Sequence, residues 1–342
     1  MLRLSMLAAI GTICALQSYS QVFSSPASDP MTNNNLPNPY RTLRDWAELP
    51  KGMTWTAITG VMEGSDGNLY VLGRCYENSC AGRTEPAVLV YNKSGKLVNR
   101  WGSGLFNFPH GFMLDKDGSV WISDAQIGGG KGNQVFKFTR DGKLLMTLGK
   151  AGEKGEGSDV FDQPTSIAIA PNGDVFVGEG HTPTYGNSRI VKFSKDGKLI
   201  KTIGKKGRGP GEFMGPHNLA FDSQGRLFVA DRGNNRIQIL DQEGRFIAEW
   251  RQFGRPSGLF ISKNDTLFVA DSESWGPDEP GWKKGIRIGS AKTGKVMEFI
   301  EDLESTTEDH SGAEAVGVDS QGNVYGGVVR RKMLEKHVKV AK

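Results

Sequence analysis

A short turn recurs six times along this chain, and its spacing limits the folds that the chain can adopt. The six turns are Asp66-Gly67, Asp117-Gly118, Asn172-Gly173, Gln224-Gly225, Asn264-Asp265 and Gln321-Gly322. In the fourth copy, apolar runs at 219–221, 227–230, 236–240 and 246–250 alternate with turns, a pattern typical of antiparallel hairpins. Four strands in a repeat of roughly 40 to 55 residues are typical of propeller blades. We therefore predict an all-β fold, a six-bladed β-propeller whose blades bury their faces against one another.

One position of the repeat alternates between two classes of side chain. Eight residues before the end of each turn stand, in chain order, Thr59, His110, Thr165, His217, Ser257 and Glu314. In a closed ring of six blades, alternate copies lie about 120° apart. This position opens the first strand of each blade, which lines the central channel. We therefore predict that His110, His217 and Glu314 meet at one mouth of the channel.

Two imidazoles and a carboxylate that converge are typical of a zinc site with three protein ligands and an open fourth position. Such a site activates water or polarises a substrate oxygen, and another first-row divalent metal would also suit these ligands. A single histidine after a proline is more often structural, so the shared register of His110 and His217 is what favours the ligand role. Glu314 can instead be a general base or a partner of a histidine, and His310 can reach in from the loop as the third ligand.

The loops after the second strands are expected to surround the same mouth. Arg74 and Arg232 occupy equivalent positions in blades one and four, where two guanidiniums would bind a carboxylate or another oxyanion. The alternative for Arg232 is a structural pair with a blade acid such as Asp231. The long polar loop after blade three's second strand offers His181 and Tyr185 as a catalytic acid or base. Acids that recur in four blades are predicted to tie strands through backbone N–H groups; they are Asp124, Glu179, Asp231 and Asp271.

The N-terminal segment has the features of an exported chain. Residues 1–20 contain a basic start, a short apolar stretch and a small-residue cleavage site, and they are predicted to be a signal peptide. Residues 21–52 are predicted to be a Pro/Asn-rich linker with a ring-closing strand within 42–47, and residues 53–342 to be the propeller. In an exported chain, Cys75 and Cys80 suggest a disulfide that closes one loop; two free thiols are the alternative.

Charge and hydropathy exclude some partners. The net charge is +4, and the lysines lie mostly at hairpin tips, so we expect no nucleic-acid binding. The apolar stretch near the N-terminus is too short to favour a membrane span. We expect a periplasmic or secreted monomer.

Four segments resemble NHL repeats. They are 161–165 (FDQPT), 186–194 (GNSRIVKFS), 216–220 (PHNLA) and 231–238 (DRGNNRIQ). Together they resemble in particular the peptidyl-α-hydroxyglycine α-amidating lyase family, over about residues 55–330.

This resemblance implies a six-bladed propeller that holds zinc through three histidines at blade starts. Two of these histidines correspond to His110 and His217, and the third corresponds to Glu314. The family's active-site arginines correspond to Arg74 and Arg232, and its tyrosine to Tyr185 or His181. A structural calcium ligand of the family is replaced by Ala315, so we do not expect calcium.

By this resemblance the chain is a zinc lyase that cleaves the N–C bond of a carbinolamide and releases glyoxylate and an amide. Arg74 would hold a substrate carboxylate, and Tyr185 or His181 would move the proton. Two alternatives stay open. One is a metal-dependent hydrolase of lactones or esters on the same propeller, and the other is a non-catalytic propeller that binds protein or glycan.

Overall fold

The computed structural model describes residues 32–157, 159–182, 186–274, 281–308 and 310–340. The predicted signal peptide and the first part of the predicted linker lie outside these residues. The described chain is all-β, as predicted, with six four-stranded antiparallel sheets. Among the described residues, no helix has the length and apolar character that a membrane span requires.

The strands are numbered in chain order, beginning with β1 (Tyr40–Leu43). Blade one comprises β2 (Ile58–Glu63), β3 (Leu69–Gly73), β4 (Val88–Tyr91) and β5 (Leu97–Trp101). Blade two comprises β6 (Pro109–Leu114), β7 (Val120–Asp124), β8 (Gln134–Phe138) and β9 (Leu144–Leu148). Blade three comprises β10 (Pro164–Ile169), β11 (Val175–Glu179), β12 (Arg189–Phe193) and β13 (Leu199–Ile203). A small parallel pair follows, β14 (Lys205–Lys206) and β15 (Glu212–Phe213).

Blade four comprises β16 (Pro216–Phe221), β17 (Leu227–Asp231), β18 (Arg236–Leu240) and β19 (Phe246–Trp250), with a 3-10 turn at Arg232–Asn234. Blade five comprises β20 (Gly258–Ile261), β21 (Thr266–Asp271), β22 (Gly285–Ser290) and β23 (Val296–Glu301). Blade six contains β24 (Ala313–Val318), β25 (Val324–Val328) and β26 (Met333–Lys339).

Blade six is a composite of the two ends of the described chain. β1 pairs antiparallel with β26, with Tyr40 opposite Lys339 and Leu43 opposite Lys336. The closing strand therefore begins and ends earlier than the predicted segment 42–47. By covering the open edge of β26, β1 satisfies its backbone groups and joins the ring.

Each pair of neighbouring blades encloses its own apolar cluster. The inner strands contact one another in the cyclic order β2, β6, β10, β16, β20 and β24, and β24 contacts β2 again. Burial of one valine or phenylalanine side chain contributes about 1.5–3 kcal/mol, so these clusters hold the inner strands in place. Each cluster contains residues from both blades, for example Val88 and Ile122, Trp121 and Val177, Phe176 and Val229, Phe228 and Val269, Phe268 and Val324, and Tyr325 and Val71.

A β-bulge explains why one register position faces the axis. In five blades, the pairing of the inner strand with the second strand skips this position, which makes it a β-bulge. Because a bulge residue is unpaired, its side chain turns away from the sheet. In blade five the inner strand instead begins directly after it, at Gly258, where an added Cβ would lie 2.5 Å from the Glu314 carbonyl oxygen. The skipped residues are Thr59, His110 with Gly111, Thr165, His217 and Glu314.

Candidate metal centre

Four buried side chains converge at one end of the inner strands. They are His110, His181, His217 and Glu314, and their metal-binding atoms all lie within 4.8 Å of one another. None of the four residues is more than 9% exposed. The structure thus brings together the three predicted ligands, and it adds His181, which the sequence suggested as an acid or base.

The two inner-strand histidines are oriented by the next hydroxyl-bearing blade. His110 Nδ1 lies 2.8 Å from the Thr165 carbonyl oxygen, and His217 Nδ1 lies 2.9 Å from that of Ser257. Because a carbonyl only accepts, each Nδ1 carries the proton and each Nε2 keeps its lone pair. Both Nε2 atoms are buried, with no hydrogen-bond partner among the described residues. A backbone carbonyl on the second ring nitrogen is the usual support of a metal-binding histidine.

Glu314 is surrounded by cationic and imidazole groups. Its Oε1 lies 3.5 Å from His110 Nε2, 3.9 Å from His217 Nε2 and 3.6 Å from Arg74 Nη2. Its Oε2 lies 3.1 Å from His310 Nδ1. His310, the alternative third ligand in the sequence analysis, is therefore a partner of the carboxylate and lies outside the group of four.

Arg74 is fixed by three contacts. Its Nε donates to the Pro109 carbonyl over 3.2 Å, and its Nη1 donates to Asn78 Oδ1 over 2.6 Å. The guanidinium carbon lies 3.8 Å from the centre of the Phe108 ring. The remaining nitrogen, Nη2, has no hydrogen-bond partner within the part of the chain that the structure describes and faces Glu314.

A disulfide closes the loop that carries these contacts. Cys75 and Cys80 are bonded, as their spacing predicted. The loop follows β3 and contains Asn78, the partner of Arg74. The disulfide therefore limits the movement of the guanidinium toward or away from the centre.

Arg232 also lies at this mouth, but it is paired with an acid. Its Nη1 lies 2.7 Å from Glu273 Oε1, and its Nη2 donates to the His181 carbonyl over 3.1 Å. Glu273 lies 2.9 Å from Arg255 Nε and 3.1 Å from His310 Nδ1. Arginine and carboxylate side chains thus alternate around this mouth of the channel.

The recurring blade acids bind the segment that leads into the inner strand, which confirms their predicted structural role. The predicted alternative pair of Arg232 with Asp231 is wrong, because Arg232 pairs with Glu273, while Asp231 binds Arg236 Nε over 2.8 Å. Backbone N–H groups donate to these acids as follows: Asn107 and Phe108 to Asp124, Asp162 to Glu179, Met214 to Asp231, and Arg255 to Asp271.

Burial keeps the three histidines neutral. It lowers the pKa of His110 to about 3, and the charge of Arg74 acts in the same direction. Burial also holds the pKa values of His181 and His217 well below their usual range. Neutral imidazoles are the form that binds metals.

The carboxylate stays ionised despite its burial. Burial raises the pKa of Glu314, but its contact with His310 and the charge of Arg74 outweigh this effect and hold the pKa well below the usual range. Burial lowers the pKa of Arg74 to about 10, so the guanidinium is charged at neutral pH. The centre therefore offers nitrogen lone pairs together with one negative charge.

This donor set fits a divalent first-row metal. Nitrogen and oxygen ligands at about 2.0–2.1 Å in a tetrahedron lie about 3.3 Å apart, close to the 3.5 Å between Glu314 and His110. A buried polar atom without a partner costs about 1–3 kcal/mol, and a cation would satisfy several at once. These atoms are Nε2 of His110 and His217, one of the two ring nitrogens of His181 and Oε1 of Glu314.

Some parts of the centre were not predicted from the sequence, and one predicted residue lies outside the part of the chain that the structure describes. Glu273 was missed; its only signal is that it follows the recurring Asp271 by two residues. The carbonyls of Thr165 and Ser257 were also missed, because they are main-chain groups. Tyr185, the predicted alternative to His181, lies outside the described residues.

The fold and the site define a class: a six-bladed β-propeller with a buried histidine–glutamate cluster at one channel mouth. A family model described as a 6-bladed beta-propeller matches residues 184–252. Human NHL repeat-containing protein 3 is 32% identical over 242 residues, which are 68% of this chain and 66% of that protein. A Caenorhabditis elegans protein named as a probable peptidyl-α-hydroxyglycine α-amidating lyase is 35% identical over 157 residues, 45% of this chain and 42% of that protein.

The chain is thus an NHL-repeat six-bladed β-propeller, with homologues named as amidating lyases and as NHL repeat-containing proteins. A gluconolactonase structure from Xanthomonas campestris superposes with a TM-score of 0.58 at 15% identity, over 87% of this chain and 89% of that one, which shows the shared fold. The chain spans about two thirds of the human relative and less than half of the C. elegans relative.

Proposed function

We propose that this chain is an exported, metal-dependent lyase that cleaves the N–C bond of a peptidyl-α-hydroxyglycine or a similar carbinolamide. The observation that carries the proposal is the buried meeting of His110, His217 and Glu314, with imidazole lone pairs directed at one point. Its support from relatives is the identity of about a third with proteins named as amidating lyases.

The reaction needs no water and no redox partner. The hydroxyl of the carbinolamide loses its proton as its oxygen forms a carbonyl with the α-carbon. The N–C bond breaks, its electron pair stays on nitrogen, and nitrogen takes up a proton. The products are an amide and glyoxylate, so the atoms of the substrate are conserved.

The residues of the chain divide these tasks. His110, His217 and Glu314 would hold the metal, which is zinc or another first-row divalent ion. The bound ion would supply Lewis-acid polarisation of a substrate oxygen. Arg74 Nη2 is the donor for the substrate carboxylate, because it has no hydrogen-bond partner among the described residues, whereas Nε and Nη1 donate to Pro109 and Asn78. The proton moves from oxygen to nitrogen by way of His181 or Tyr185, the predicted carriers.

The first test combines metal content with turnover. The purified protein is analysed by elemental mass spectrometry and then incubated with N-benzoyl-α-hydroxyglycine, with release of benzamide and glyoxylate as the readout. We expect near-stoichiometric metal and equal amounts of both products. Bound metal without product would contradict the lyase and favour the metal-dependent hydrolase. Absence of metal after zinc is supplied would favour the non-catalytic binding propeller.

The role of Arg74 is tested with a matched pair of substrates. N-benzoyl-α-hydroxyglycine carries the carboxylate, and its primary amide analogue does not; both release benzamide. Because a hydrogen bond to a charged group contributes about 1.5–3 kcal/mol, Arg74→Ala should slow the acid by roughly 10–100-fold and the neutral analogue much less. Arg74→Lys retains the charge and should lose less on the acid. Equal losses of rate on both substrates would show that Arg74 does not bind the substrate carboxylate.

Export and a monomeric state are part of the proposal. The disulfide between Cys75 and Cys80 is consistent with an oxidising compartment. Mass analysis of the protein recovered from culture medium or periplasm should show cleavage after residue 20, and light scattering should give the mass of one chain. A full-length cytosolic product would contradict export.

A further inference from the structure

We propose that His181 is a metal ligand, which joins His110, His217 and Glu314 in a set of three imidazoles and one carboxylate. The inference rests on the proposed function only in taking this centre to bind a divalent metal. The sequence pattern predicted a role in proton transfer for His181 instead. Three observations place it among the ligands.

The first observation is the mutual arrangement of the rings. The ring centres of His110 and His181 lie 4.7 Å apart, those of His110 and His217 4.6 Å, and those of His181 and His217 5.4 Å. The three imidazoles thus form a nearly regular triangle. His181 is as close to His110 as the second inner-strand histidine is, so one ion that contacts two of the rings lies within reach of the third.

The second observation is that the main chain holds His181 while its ring has no partner. Gly180 N donates to the Gln163 carbonyl over 2.8 Å, and Thr182 N lies 3.3 Å from Gln163 Oε1. Arg232 Nη2 donates to the His181 carbonyl over 3.1 Å. Both ring nitrogens are nevertheless buried without a hydrogen-bond partner among the described residues. A proton carrier needs a donor or acceptor on its ring, whereas a cation bound to one ring nitrogen supplies the missing partner of that nitrogen.

The third observation is the side from which His181 approaches the centre. Blades two and four supply histidines from the bulged position, and blade six supplies Glu314. Blade three faces blade six across a six-membered ring, and its loop brings His181 to the axis from that opposite side. Glu314 shares its charge with Arg74 and His310. A third neutral imidazole therefore adds a donor that no described group of the centre already engages.

One consequence concerns proton transfer. If His181 binds the ion, its lone pair is used, and Tyr185 is left as the predicted carrier between oxygen and nitrogen. A second consequence concerns the substrate, whose oxygen would enter as a fifth ligand or in place of one donor, since zinc sites expand to five ligands during reaction.

The test uses cobalt(II) as a spectroscopic probe in chelated and reloaded protein. His181→Cys should give a thiolate-to-cobalt charge-transfer band in the near ultraviolet, since Cys75 and Cys80 are already bonded to each other and Cys14 lies in the predicted signal peptide. Thr182→Cys places the same thiol one residue further along the loop and should give no such band. His181→Ala should weaken zinc binding by more than about 100-fold, beyond the roughly 10–100-fold typical of an outer-shell partner.

The outcomes separate this inference from the proposed function. A charge-transfer band confined to His181→Cys supports the ligand role, even if the unmodified protein releases no glyoxylate. Zinc affinity and cobalt spectra that do not change in His181→Ala and His181→Cys overturn it, while product release by the unmodified protein would still support the lyase. Failure of the unmodified protein to bind zinc or cobalt overturns both. Circular dichroism of each variant checks that the propeller is intact.

Discussion

Blades two and four differ from blade six in how they present a ligand to the same centre. In blades two and four, a backbone carbonyl of the next hydroxyl-bearing blade orients each histidine, and no charge is involved. In blade six, Glu314 is held by ion pairs with Arg74 and His310. The unpartnered Nε2 atoms of the two histidines therefore destabilise the metal-free fold, whereas the ion pairs of Glu314 stabilise it. Variants of the two kinds of ligand should therefore respond differently.

The largest effect should follow removal of an inner-strand histidine. His110→Ala or His217→Ala should abolish stoichiometric metal binding and lower turnover by more than about 1000-fold, because a catalytic metal contributes several kcal/mol. Elemental mass spectrometry and benzamide release measure the two effects. Ser257→Ala is the matched control, since it keeps the carbonyl that orients His217. Wild-type metal content in either histidine variant would contradict the assignment.

The second effect should separate blade six from the other two. With a chelator present, Glu314→Gln should lower the free energy of unfolding by about 4 kcal/mol, because it leaves the buried guanidinium of Arg74 without its anion. His217→Asn should change it much less, since its amide keeps a donor for the Ser257 carbonyl and the His217 Nε2 has no hydrogen-bond partner among the described residues to lose. Urea denaturation of the metal-free proteins measures both. Equal destabilisation would mean that the charge network around Glu314 contributes little.

The third effect concerns the seam of blade six. His337 is buried there, beside Thr42 of β1, and burial with the charge of Arg44 lowers its pKa from 6.5 to about 4. Between these values the unfolded chain binds more protons than the folded one, so stability is lost as the pH falls through this window. The loss should reach about 3 kcal/mol. Denaturant curves at pH 7 and pH 4 measure it, and His337→Asn should show a loss that is smaller by this amount.

The smallest effect should come from the loop that supports Arg74. Cys75→Ser combined with Cys80→Ser should lower the free energy of unfolding by about 2 kcal/mol, the loop-closure entropy of a short disulfide loop. The Michaelis constant for the carboxylate substrate should also rise, because Asn78 would hold Arg74 less firmly. Wild-type protein in reductant is the control and should behave like the variant. Unchanged stability in both would show that the loop is held by its other contacts.

The fold and the alternating position were predictable from the sequence because both are local properties. Turn residues and strand alternation repeat with each blade, so six copies indicate a six-bladed ring. The register of His110, His217 and Glu314 follows from counting within each copy, and the bulge then turns these residues toward the axis. The recurring acids, such as Asp124, were recognised as structural for the same reason.

The contacts between blades were not predictable, because they join residues far apart in sequence. Glu273 contacts Arg232 and His310, and no local pattern links these three positions. Arg232 was expected either to face a substrate or to pair with Asp231, and its partner is decided by how blades four and five pack.

The sequence by itself determined that this chain forms a ring of six β-blades and that two histidines and a glutamate share one position of the repeat, because turn chemistry and periodicity act within each blade. Only the tertiary structure decided that His181 enters the same cluster, that His310 supports Glu314, and that the strand closing blade six is Tyr40–Leu43. These features depend on where loops and chain ends lie once the blades pack around a common axis. The sequence of a single repeat does not determine those positions.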